Sequence, residues 1–160
     1  MKFNQVTPKS IHLQNILNNS RKIIIIYPHE KKYARIARYV LQRLFNNLGN
    51  YEVLIVLPDL FLDYKDVHPV PYITIPAHTT NSFYNSLLKI LGDFNADILI
   101  QLDPNPPKGF LKTIHLLLID LKIGLGADQS VYNVTHTWNG KGFYENYIIS
   151  VLRMLNIKIN

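Results

Sequence analysis

No cysteine occurs among the 160 residues, which excludes disulfide frameworks, thiolate zinc sites and cysteine nucleophiles. Long apolar runs are missing as well. The longest, IIIIY at 23–27, is a strand core, far short of the ~20 residues that a membrane-spanning helix needs. The opening MKFNQVTPKS has no apolar stretch of the secretory type, so a cytoplasmic location is the expectation. Asn133-Val134-Thr135, formally a glycosylation sequon, then reads as an ordinary loop. Charged residues make up 18% of the chain against 48% hydrophobic, a balance that suits an ordered core and not a disordered segment. The length fits one domain.

Clustered positive charge is also scarce. The formal charge is +6, yet Arg21, Lys22, Lys31, Lys32, Arg35, Arg38 and Arg43 are scattered, with one local grouping after the first strand. There is no aromatic–basic RNA-binding motif and no helix-turn-helix spacing. Nucleic acid is therefore not expected as a partner. The charge reads as a solvated surface, with an anionic ligand or a peripheral membrane contact as the functional alternative.

What is present alternates between two periods. Residues 22–27, KIIIIY, form a continuous β-branched run of the kind buried on both faces of a central parallel strand. Ile36, Ala37, Val40, Leu41, Leu44 and Leu48 fall at helical spacing and predict a helix over 33–48, closed by Gly49. A strand at 51–57 ends at Pro58, and 59–71 is an irregular connection. A short strand at 72–75 precedes a helix over 82–91, with N-cap candidates in 78–81, a buried side of Phe83, Leu87, Ile90 and Leu91, and Gly92 as its end. Residues 97–102, a Pro-broken loop, a helix over 108–118 and a strand at 122–125 make one βαβ unit. A long Asn/Gly-rich loop over 127–142 leads to a last helix over 143–155, with Phe143, Tyr147, Ile148, Val151, Leu152 and Leu155 on one face. Residues 1–20 form an N-terminal arm, with Ile11, Leu13, Ile16 and Leu17 along a short helix at the domain edge. Residues 21–160 form a single domain of the Rossmann-like, doubly wound α/β class, a three-layer sandwich. Its mostly parallel sheet has about five strands in the order 3-2-1-4-5, with the two most apolar strands at the centre.

In such a sheet ligands bind beyond the carboxyl ends of the strands, at the switch between the first and fourth. The first of these loops, PHEKKYA at 28–34, has no glycine and is neither a dinucleotide fingerprint nor a P-loop. His29 and Glu30 read either as an acid/base pair with Lys31 or Lys32 holding an anion, or as a charged first turn facing solvent. Asp103 follows a buried strand and precedes Pro104-Asn105-Pro106; it is a base, a holder of sugar hydroxyls, or a turn residue. His78 and Thr79 are phosphate contacts or caps. His12, His68, His115 and His136 have no partner at ligand spacing, so no metal is expected. Ser82, Ser86, Ser130 and Ser150 lie in no nucleophile elbow. Trp138 and Tyr132 either stack on a ligand or fold back onto the core.

The order of these segments resembles the N-terminal half of the heptosyltransferases, GT-B glycosyltransferases of lipopolysaccharide core assembly. The likeness is carried by KIIIIY and its helix, YEVLIVLPD, the ADILIQLDPNP and FLKTIHLLLIDLKIGLGA unit and the closing FYENYIISVLRMLNI, and it spans residues 21–157. It implies an acceptor-binding domain in which Glu30 or Asp103 serves catalysis and His29, Lys31, Lys32, His78, Thr79 and Asn105 contact ligand. Three departures accompany it. PHEKKYA has neither the Asp nor the Gly of the family's first loop, Gln101 stands where the family often has an acid, and the donor-binding second domain has no counterpart in these residues. The expectation is a non-catalytic binding or assembly module for an anionic sugar, a lipid-linked ligand or a partner protein, without cofactor. The alternative is the acceptor subunit of an active glycosyltransferase, completed by a separate donor-domain chain or by a homodimer, with a nucleotide-sugar or sugar-phosphate ligand.

Overall fold

Ile23, Ile24, Ile25 and Ile26 are each no more than 2% exposed, so their strand must be covered on both faces. The computed structural model describes residues 3–5, 15–16, 18–61, 63, 70–125, 131–136 and 144–155. Its elements run β1 (Phe3–Gln5), β2 (Lys22–Ile26), α1 (Lys31–Phe45), β3 (Glu52–Pro58), β4 (Tyr72–Ile75), α2 (Asn81–Phe94), β5 (Ile98–Gln101), α3 (Lys108–Leu116), β6 (Leu121–Leu125), β7 (Val134–His136) and α4 (Tyr144–Met154).

The sheet order is β4-β3-β2-β5-β6-β7, all parallel, with β1 added antiparallel along β7. Five consecutive strands, β4-β3-β2-β5-β6, have the doubly wound order expected from the sequence, and β2 and β5 sit side by side near the middle. Alternate residues of β2 feed two separate cores. Ile23 and Ile25 join Ala37, Leu41, Ile148 and Val151 beneath α1 and α4. Ile24 and Ile26 join Leu87, Leu91, Phe110 and Ile114 beneath α2 and α3. Two helices on each face bury the central strands β2 and β5 almost entirely, which is why these strands read as unbroken apolar runs.

Several boundaries differ from expectation. The sheet has β7 where a long loop was expected, and β1 where the arm was expected to contribute only a helix at the edge. Of that arm helix, Asn15, Ile16, Asn18 and Asn19 are helical, while Ile11, Leu13 and Leu17 lie outside the described residues. Gly49 does not cap α1, which ends at Asn46; it sits in the following turn with φ +58°, a backbone that costs glycine nothing. Gly92 lies inside α2, which runs on to a left-handed Asn95 whose N–H donates to the Gly92 carbonyl. Ile90 is 48% exposed instead of buried. Asn133 is not in a free loop: its side chain accepts from the Lys122 N–H at 2.8 Å, one residue before β7. Among the described residues no helix is long and apolar enough to cross a membrane.

Candidate functional site

The chain order reverses between β2 and β5, and the loops that leave these two strands part in opposite directions. Such a divergence opens a crevice at the carboxyl ends. The β2–α1 loop carries Tyr27 to Glu30, and Pro28 stops the strand by removing a donor. The β5–α3 loop carries Leu102 to Pro107, bends at Pro104 and Asn105, and contains three prolines.

These loops meet through Asp103. Its Oδ2 accepts from the backbone N–H of His29 at 3.1 Å and lies 2.6 Å from His29 Nδ1. Its Oδ1 accepts from the Asn105 N–H at 2.9 Å. The Asp103 side chain is only 4% exposed and that of His29 is 47% exposed. A buried carboxylate with three donors is satisfied and fixed. An ionised Asp103 accepts from Nδ1–H, which leaves the neutral imidazole with its lone pair on the outer nitrogen, Nε2. Beneath it, Gln101 Oε1 accepts from the Asp103 N–H at 2.9 Å. The Tyr144 hydroxyl of α4 donates to the Leu102 carbonyl and that of Tyr147 donates to the Gln101 carbonyl at 2.8 Å. Burial first, then the neighbouring Tyr147 and the Asp103 carboxylate, pushes the Tyr144 phenol well above its ordinary range. Burial does the same to Tyr147. Both stay neutral donors.

The pair borders a pocket of about 240 Å³ across the ends of four adjacent strands. Ile26, Tyr27 and His29 come from β2 and its loop, and Pro58, Asp59 and Leu60 from the end of β3. Ile75 ends β4 and Pro76, Ala77 and Thr79 follow it, Tyr84 rises from α2, and Asp103, Pro107 and Phe110 close the last side. Thr79 Oγ1 donates to the Tyr84 hydroxyl at 2.9 Å. The Tyr84 ring lies against Gly109, 2.5 Å from where a Cβ would stand, so α3 needs glycine there to admit the ring.

Of the residues singled out in the sequence, His29, Asp103 and Thr79 line this pocket. Asn105 helps to hold Asp103. Glu30 is the N-cap residue of α1 but makes no side-chain cap; its carboxylate turns to Asn105 Nδ2 at 3.3 Å and Lys32 Nζ at 3.5 Å. Lys31 and Lys32 are exposed. Lys31 borders a separate shallow depression with His29, Leu60, Phe61 and Asp63. His78 is exposed on the β4–α2 connection. Tyr132 folds onto Gly124 and is 4% exposed, and Trp138 lies outside the described residues. Among the described residues no group of three or more His, Cys, Asp or Glu is placed to hold a metal ion. Tyr84, Phe110 and Tyr144 were not singled out, since an aromatic residue in a helical segment carries no sequence signal of a site; Gln101 was noted only as standing where the family often has an acid, not as the group that holds the Asp103 N–H. Compared with family models, curated proteins and solved structures, the chain matches none of them.

Proposed function

We propose that this protein is a small-molecule-binding domain whose switch-point pocket presents a ligand hydroxyl to His29, with Asp103 holding the imidazole as a general base. The observation that carries this reading is the 2.6 Å contact from His29 Nδ1 to a buried Asp103 at the rim of the pocket. A carboxylate in that position fixes the ring and its tautomer and stabilises the imidazolium that forms when Nε2 takes a proton. The resemblance to the acceptor half of a glycosyltransferase gives the chemistry a direction. The acceptor hydroxyl gives its proton to Nε2, its oxygen bonds to the anomeric carbon of a nucleotide sugar held by a donor domain, and the diphosphate leaves with the electrons of the broken C–O bond. His29 and Asp103 take the catalytic part in this scheme. Glu30 is at the surface and pairs with Lys32.

A second reading keeps the domain non-catalytic and bound to a sugar phosphate. Lys31 favours it, because it stands beside His29 at a depression of about 300 Å³ outside the main pocket.

Thermal shift of the purified chain against uncharged hydroxyl-bearing compounds and sugar phosphates separates the two. A ligand at 100 times its Kd adds ~2.7 kcal/mol, which raises the melting temperature of a chain this size by several degrees. Stabilisation by an uncharged hydroxyl-bearing compound that His29→Ala and Asp103→Asn both abolish supports the first reading. Stabilisation by sugar phosphates alone, lost in Lys31→Ala, supports the second. Stabilisation by any ligand that survives all three substitutions removes this crevice from consideration.

A further inference from the structure

We infer that the ligand of the switch-point pocket is an uncharged, flat, largely apolar molecule of one or two rings that bears a hydroxyl; this rests on the reading of His29 as the base that the hydroxyl meets. Charge comes first. Among the described residues, two acidic residues, Asp59 and Asp103, line the pocket and no lysine or arginine does. Lys31 and Lys32 lie outside it, the latter paired with Glu30. An anion here meets like charge, with no lysine or arginine among the described wall residues to offset it. The helix ends do not reverse this balance. α2 and α3 start near the pocket and their dipoles favour negative charge, but the wall residue at the start of α3 is Pro107, which has no N–H. At the start of α2, Thr79 turns its hydroxyl to Tyr84. A cation gains little from Asp103, whose carboxylate oxygens already accept from His29 and Asn105.

Shape follows from the walls. Tyr84 and Phe110 supply aromatic surface, and Pro58 and Pro76 add rigid surface. Such surfaces favour a planar partner, with ring faces offset or edge-on. The volume of about 240 Å³ lies below the ~300–1,000 Å³ of drug-sized sites, while a dry 150 Å³ cavity is enough for benzene. The position of the Tyr84 wall is set by Gly109, since the ring occupies the place a side chain would take.

The test is a set of naphthalenes that differ only in charge, titrated into the purified full chain by protein-observed NMR. 2-Naphthol is the neutral probe, 2-naphthoate and 2-naphthyl phosphate the anions, and 2-naphthylmethylammonium the cation. The expected result is at least tenfold tighter binding of 2-naphthol than of any charged analogue. It comes with a shift of the His29 ring signals and at least a fivefold loss of 2-naphthol affinity in His29→Ala. Tighter binding of either anion or of the cation overturns the inference; if that binding is also lost in His29→Ala, the base reading survives it. Preference for 2-naphthol that His29→Ala leaves unchanged keeps the ligand class and sinks the base reading instead. No binding by any member overturns the inference. Gly109→Ala adds a check on the wall: 2-naphthol affinity falls at least fivefold, and phenol affinity falls less. Equal losses for both probes overturn the role given to Tyr84.

Discussion

Asp103 is the residue on which the candidate site turns, and its own position depends on groups that touch no ligand. Tyr144 reaches from α4 to the Leu102 carbonyl, one residue before Asp103. Both groups are buried, so removing the hydroxyl leaves an acceptor without that donor. Tyr144→Phe is expected to cost ~1–3 kcal/mol, read as a lower midpoint in urea with an unchanged slope. A loss well under 0.5 kcal/mol would show that the bond contributes nothing. At this scale the sequence was half legible. His29, Asp103 and Thr79 stood out because each follows a strand that the apolar runs had already placed. The pairing of His29 with Asp103 did not, since the two are 74 residues apart and no spacing rule links them. Tyr144 was missed for a different reason: its neighbour Phe143 was assigned to the buried face of the last helix, and a stripe does not show which tyrosine will donate a hydrogen bond.

Elements were readable wherever one period ran long enough to bury a face. β2 and β5 announced themselves as unbroken apolar strands, and α1 showed its stripe from Ala37 to Leu44. The failures are short or punctuated. β1 and β7 have three residues each, too few to show alternation, and their hydrogen bonds come from partners distant in the chain. Gly92 looked like a helix end, but an exposed glycine in a helix costs only ~1 kcal/mol relative to alanine, which the packing of Leu87 and Leu91 on the lower core offsets. The start of α2 was legible because the capping chemistry is local. Thr80 accepts from the Phe83 N–H at 3.2 Å, and Thr80→Ala is expected to cost ~0.5–2 kcal/mol. That change is measurable as a shift of the thermal midpoint without a change in the circular dichroism of the folded chain. An unaltered midpoint would remove the cap from the account of why α2 begins there.

For the whole molecule, the deeply buried tyrosines set an upper limit in pH. The phenols of Tyr144 and Tyr147 are raised well above their ordinary range, mainly by burial. The folded chain thus holds these protons more tightly than the unfolded chain, whose tyrosines ionise near pH ~10. This contribution to stability is fully present below that pH and is lost as the pH rises beyond it. Urea denaturation at about pH 8 and about pH 11 should show a clear drop at the higher value. The drop should shrink in a Tyr144→Phe, Tyr147→Phe double variant. Equal stability at both pH values would contradict the burial of these hydroxyls. β1 carries a consequence of another kind. It precedes the other described elements, and its partner β7 follows all of them but α4. A growing chain therefore keeps this seam open, with β7 unborn and β1 single, until every described element but α4 has been made. The parallel edge that β7 then presents is a template for any passing strand, and the sheet is sealed on that side by the piece of chain that has waited longest.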